Sequence, residues 1–169
     1  VYEGTAVPEP EGKGEERETG LLLLSSDDKN EPVDIAALRQ DYRDKGAHVL
    51  ELDTVNPERY REGSILKCGS KRIGVMYAGT DTTQLEVAQC MESFSDASVD
   101  FTVVISPDRW KVQRITGIDI VICTENEDLI ASGQTQDGTF YVDAPEKGNA
   151  GVVLISPSNV VSAKEVDEF

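Results

Sequence analysis

Residues 20–53 read GLLLLSSDDKNEPVDIAALRQDYRDKGAHVLELD. Leu21–Leu24 is a continuous apolar run closed by Ser25-Ser26-Asp27-Asp28, the pattern of a buried strand followed by a turn. Pro32-Val33-Asp34 then opens a helical pattern. Ile35, Leu38 and Tyr42 recur at helical spacing, charged residues fall between them, and Gly46 closes the run. Ala47–Leu52 is a second apolar strand. Strand, helix and strand together span about 32 residues, the length a right-handed crossover between parallel strands requires. This segment predicts an α/β domain founded on a βαβ unit.

Downstream, Asn56 before Pro57 predicts a short helix that Gly63 ends. Arg72–Ala78 and Val99–Ser106 predict two more strands. Between them lies a helix capped by Asp81 or Thr82, with Leu85, Val87, Ala88, Met91 and Phe94 as its apolar face. After Pro107 the period changes to short strands at Ile118–Cys123, Leu129–Ser132, Phe140–Ala144 and Val152–Ser156, separated by turn signals. The expectation is an α/β to α+β fold in which the βαβ part is followed by an antiparallel β-meander that extends one mixed sheet. Two subdomains, 20–108 and 109–163, are the alternative. Thr135-Gln136-Asp137-Gly138-Thr139-Phe140-Tyr141-Val142 is similar to the T-x-x-D-G-x-F-x-V hairpin of transthyretin-like and carboxypeptidase-regulatory modules. That resemblance implies a hairpin turning at Asp137-Gly138.

Upstream, residues 1–19 hold six Glu, two Pro and three Gly. Such a segment buries too little to offset chain entropy and is expected to be an extended acidic N-terminal arm. Lys164–Phe169 predicts a short acidic tail, which leaves 20–163 as the single domain. The whole chain of 169 residues carries 32 acidic against 16 basic residues, a formal charge of −16. A surface of that sign repels phosphate, so nucleic acid is not an expected partner. Three readings fit that charge: a surface that keeps the chain soluble and monodisperse, a salty environment that screens the self-repulsion, and a basic partner surface met by an acidic one. No apolar run approaches the roughly 18–20 residues that span a bilayer, and no signal-peptide layout opens the chain. The expectation is a soluble chain without membrane insertion.

Cys68, Cys90 and Cys123 are widely spaced and accompany one histidine, so neither a zinc site nor a disulfide framework is expected. Reduced thiols suit a reducing compartment or a particle assembled in one. If the first two strands are parallel neighbours, Asp27, Asp28 and Asp53 leave the same carboxyl edge, where they could hold Mg²⁺ or Ca²⁺. The competing role for them is turn and cap formation. Gly79-Thr80-Asp81-Thr82-Thr83 joins a strand to a helix, but Asp81 suits a cap better than a phosphate site. Cys68, the most exposed-looking thiol, stands beside Lys67 and Lys71 and would need His48 as its base, which nothing in the spacing brings to it. Trp110, flanked by Arg109 and Lys111, is a candidate protein-contact anchor, against a role plugging the junction of the two halves.

With no catalytic or cofactor signature, the expected function is a non-enzymatic structural or assembly subunit of a larger complex. A virion component or accessory subunit would suit such a chain, with protein subunits as partners and the arm docking onto them. The alternative is a small α/β enzyme or ligand-binding domain using a divalent metal at Asp27, Asp28 and Asp53.

Overall fold

A computed structural model describes residues 19–24, 35–54, 56–125, 134–144, 150–156 and 161–166. The predicted crossover is present. Strand β1 (Thr19–Leu24) lies parallel to β2 (His48–Asp53), and helix α1 (Ile35–Asp44) connects them. Gly46, at φ +88, turns the chain out of the helix, a conformation only glycine adopts cheaply. The remaining strands are β3 (Ser64–Cys68), β4 (Lys71–Tyr77), β5 (Phe101–Ser106), β6 (Ile120–Cys123), β7 (Gln134–Gln136), β8 (Thr139–Asp143), β9 (Ala150–Ile155) and β10 (Val161–Val166). Two further helices, α2 (Gln84–Asp96) and α3 (Arg109–Val112), lie between β4 and β6.

The mixed α/β class holds, but the strands form two sheets rather than one. The first has the order β10-β9-β1-β2, and the second β3-β4-β5-β6-β8-β7. The meander is corrected accordingly. β4, β5, β6 and β8 are successive parallel neighbours, and antiparallel pairing after Pro107 is limited, among the described residues, to β7–β8, β9–β10 and β9–β1. Short apolar runs such as Ile120–Cys123 do not disclose their direction, because strands buried on both faces lack alternation. The Asp137-Gly138 turn does match its signal: φ values of +52 and +82 give the doubly left-handed turn that joins β7 to β8. β10 also takes in Lys164–Val166, the start of the expected acidic tail. Residues 1–18, 25–28 and the Leu129–Ser132 strand lie outside the described residues.

Side-chain alternation stacks the elements in four layers. Leu50 and Leu52 of β2 and Val153 and Ile155 of β9 meet the inner face of the second sheet in one buried cluster, which includes Leu66, Ile73, Val103 and Ile122. The opposite face of the second sheet, through Met76, Val104, Val121 and Tyr141, packs on Val87, Met91 and Phe94 of α2 and Val112 of α3. On the outside of the first sheet, α1 presents buried Leu38 and Tyr42, and Arg39 pairs with Glu51 of β2. The Glu51 side chain is only 5% exposed. Removing its partner would strand a buried carboxylate, and such losses cost about 2–3 kcal/mol when the cation is itself partly solvated. Arg39→Ala should therefore lower stability in urea by that amount, whereas Arg39→Met with Glu51→Leu should recover most of it.

Two elements differ from the sequence expectation. β3 carries no strand signal, because exposed Ile65 beside buried Leu66 breaks the apolar–polar alternation in the sequence although the burial itself alternates. Helix α2 begins one residue later than predicted: Thr83 Oγ1 accepts from Glu86 N while Glu86 reaches back to Thr83 N, a reciprocal cap. Its buried face is Val87, Met91 and Phe94, while Leu85 and Ala88 are exposed.

A candidate protein-contact surface at the carboxyl edge of the second sheet

Because β4, β5, β6 and β8 run parallel, the segments that follow them emerge together at one edge. Backbone bonds continue the ladder past the strand ends. Ala78 N donates to Ile105 O at 2.8 Å, Thr124 N to Ser106 O at 3.0 Å, and Ala144 N to Cys123 O at 2.7 Å. Ser106, fully buried, donates from Oγ to Ala78 O at 2.9 Å and accepts from Asp108 N at 3.2 Å. Asp108 in turn accepts from Trp110 N at 2.9 Å and so caps α3. Lys111 Nζ donates to both Gly79 O and Thr80 O at 2.6 Å. The loop after β4 and the helix after β5 are thus bolted together.

On this platform Trp110 is 60% exposed, and the Arg109 guanidinium stacks 5.0 Å from the ring centroid. The ring does not plug the core. Leu85, in the first turn of α2, is 66% exposed, and α2 packs against α3. Of the three predicted contact residues, Trp110 is exposed, Arg109 is half-buried against its ring, and Lys111 is half-buried with its ammonium on the loop after β4. Around them the edge is ionic. Arg61 spans Asp81 Oδ2 at 2.9 Å and Glu58 Oε2 at 2.9 Å, and the Arg61 hydrogen bond holds the Asp81 carboxyl below its ordinary range. Burial, seconded by Glu58, pushes the Tyr77 hydroxyl upward. Sequence reasoning misses Leu85 as a surface residue, because an apolar side chain in the first turn of an amphipathic helix reads as core. The Thr83 cap fixes the phase that turns it outward.

The other candidates are placed differently. Asp53 ends β2 opposite Leu24, so the chain leaving β1 toward Asp27 and Asp28 does start from the same edge. Those two residues lie outside the described ones. Asp53 itself accepts from Asn56 N at 2.9 Å and pairs with Arg59 at 3.2 Å, as a turn residue does. Among the described residues no three His, Cys, Asp or Glu gather closely enough to hold a metal ion.

Cys68, exposed-looking in the sequence, is fully buried between the sheets, and burial pushes its thiol up to about 12. The His48 ring packs on the next residue, Gly69, where an added Cβ would lie 2.4 Å from Cδ2. The approach produces no nucleophile, because a thiol that titrates so high is not ionised at neutral pH. Cys68 and Cys123 should resist iodoacetamide in the folded protein at pH 8, half-buried Cys90 should react slowly, and all three should label in denaturant. Rapid labelling of Cys68 would contradict this placement.

No family model matches the chain, and no curated protein matches it. Among solved structures it is similar in fold to the sulfate thiohydrolase SoxB of Thermus thermophilus in complex with glycerol, at 14% identity and a TM-score of 0.52. The likeness covers 63% of this chain and 24% of that one, so the chain spans about a quarter of that enzyme. It bears on the fold alone. No helix among the described residues is long and apolar enough to cross a membrane.

Proposed function

We propose that this domain works by protein contact, as an assembly subunit whose docking surface is the carboxyl edge of the six-stranded sheet. The observation that carries the proposal is the exposure of Trp110, stacked with Arg109 on a helix that Asp108 and Lys111 hold rigid. Burying the exposed part of a tryptophan is worth roughly 3 kcal/mol, and Trp and Arg are the residues that dominate interface energetics. The favoured partner is a protein with a cleft for the indole and a basic rim facing Asp81, Asp108 and Glu125, in keeping with the charge of −16. A photo-crosslinking residue at position 110 of the full chain, expressed in its source, should capture one protein partner. The same residue at exposed Thr116, near the opposite edge, should capture none. Equal capture at both positions would overturn the proposal.

The parallel register of Leu24 with Asp53 favours one alternative, a divalent cation held by Asp27, Asp28 and Asp53 at the edge of the first sheet. On that reading Mg²⁺ or Ca²⁺ raises the melting temperature of the full chain, and Asp27→Asn with Asp53→Asn abolishes the rise. An unchanged melting temperature with either ion would discard it.

A further inference from the structure

The amino edge of the second sheet, opposite the edge that carries Trp110, holds a cavity between the loop that enters β6 and the turn that enters β8. Its volume of about 330 Å³ lies within the roughly 300–1,000 Å³ of small-molecule sites.

The polar groups around this cavity fall into two sets. One set holds the backbone. Thr102 N donates to Asp119 Oδ2 at 2.8 Å, and Thr102 Oγ1 accepts from Asp119 N at 3.0 Å while donating to Gly117 O. Thr139 Oγ1 donates to Ile118 O and Phe140 N to Asp119 O, each at 2.9 Å, which ties the loop to the start of β8. The other set is unspent. Gln113, Arg114, Thr116 and Gln136 line the cavity, and among the described residues their side chains make no hydrogen bond or ion pair. A braced backbone that carries free donors and acceptors is the arrangement of a preorganised site.

Arg114 adds an independent observation. Its backbone stands at φ +73, a left-handed conformation that a residue with a side chain adopts only at a cost. Glycine would sit there without strain, as Gly117 does at φ +88 in the same loop. Strain of this kind collects where a side chain is needed at a fixed place. The exposed guanidinium has no partner among the described residues that accounts for that place.

The lining also selects the ligand. Asp119 and Asp137 outnumber Arg114 on the walls, and the chain as a whole carries −16, so an anion is disfavoured. Amide, guanidinium, carboxylate and hydroxyl groups set donors and acceptors side by side, as adjacent hydroxyl groups require. Ile115, Ile118 and Tyr141 supply apolar wall for the carbon face of a small ring.

We infer that this cavity binds a small, neutral, polyhydroxylated ligand of monosaccharide size, with Arg114 donating to its hydroxyl groups and Gln113 and Gln136 bracketing them. This is a function separate from protein docking at Trp110, and it does not rest on that role.

Amide-resolved nuclear magnetic resonance on the full chain tests it, with glucose, galactose, mannose and N-acetylglucosamine as probes. At least one should shift the amides of residues 113–119 and 136–139 saturably, with a Kd of about 1 mM or tighter. Inorganic phosphate should shift neither segment. Arg114→Gly should weaken the binding at least about tenfold, the loss expected when a charged donor is removed. Its melting temperature should hold or rise, because glycine relieves the left-handed backbone, so the loss is separable from damage to the fold. Lys67→Gln, at the far end of the same sheet, should leave the binding unchanged. No saturable shift with any of these sugars would overturn the inference, as would binding that survives Arg114→Gly. Phosphate shifting the same amides as strongly as the sugars would also overturn it, by assigning the cavity to anions.

Discussion

Gly74→Val should cost about 3 kcal/mol or more of stability, at the upper end of what overpacking a core does. Gly74 sits in the middle of β4 under helix α2, and a Cβ built there would meet three atoms of the Phe94 ring at 2.7, 2.8 and 2.9 Å. That ring is 4% exposed and held in the outer core with Met76, Met91 and Val104. Added methylenes in a filled core typically cost about 1–3 kcal/mol, and a β-branched side chain here must push the helix itself. A domain of this size has about 5–15 kcal/mol in all, so thermal unfolding should fall by roughly 10 °C. The cause is separable by a double-mutant cycle. If the clash with Phe94 is responsible, Gly74→Ala and Phe94→Leu should be less than additive, because the smaller side chain vacates the space. Strict additivity would place the cost elsewhere. Gly69→Ala should behave similarly but without rescue by a smaller neighbour alone, since Gly69 also has φ +59.

Trp110→Ala should produce the opposite pattern: little change in folding, and loss of association by about a hundredfold or more. The ring is 60% exposed and lies outside the buried clusters, so truncating it removes little intramolecular packing. Its stability effect should stay within about 0.5–1 kcal/mol, the ordinary range for a surface site. At an interface centre, truncating an anchoring Trp costs about 2 kcal/mol or more, and about 2.7 kcal/mol is a hundredfold in Kd. Arg109→Ala should weaken association less, because the guanidinium contributes a cation–π contact and rim charge rather than the main apolar area. Lys111→Met should act indirectly. It releases the carbonyls of Gly79 and Thr80 and loosens the platform, so association should slow without the partner's footprint moving.

Much of this architecture is legible in residues 20–53, because a strand, a capped helix and a second strand in so short a span admit few topologies. The parallel pairing of β1 with β2 follows from that constraint. The second sheet is harder to read, and the reasons are physical. β5 and β6 are buried on both faces, so their side chains are apolar without a period and say nothing of strand direction. β3 is an edge strand with two buried residues, too few to distinguish from a loop. The partition into two sheets depends on β9 returning from beyond residue 150 to pair with β1, a contact across more than a hundred residues that no local pattern encodes. The contact surface is legible in part. A tryptophan between cations marks a candidate, but whether it faces the core or solvent depends on the short helix α3, whose four residues are too few to show a period. Cys68 misleads for the same reason as β3: its charged neighbours point out while it points in.

That the chain works as a docked subunit is tested most directly by the mass of the native material purified from its source. The 169 residues have a mass of 18.4 kDa. A distinctly larger species that contains another protein is expected, with recovery of the single-chain mass when Trp110→Ala replaces the native residue. Native material with the mass of one chain, unchanged by that substitution, would contradict the docking role.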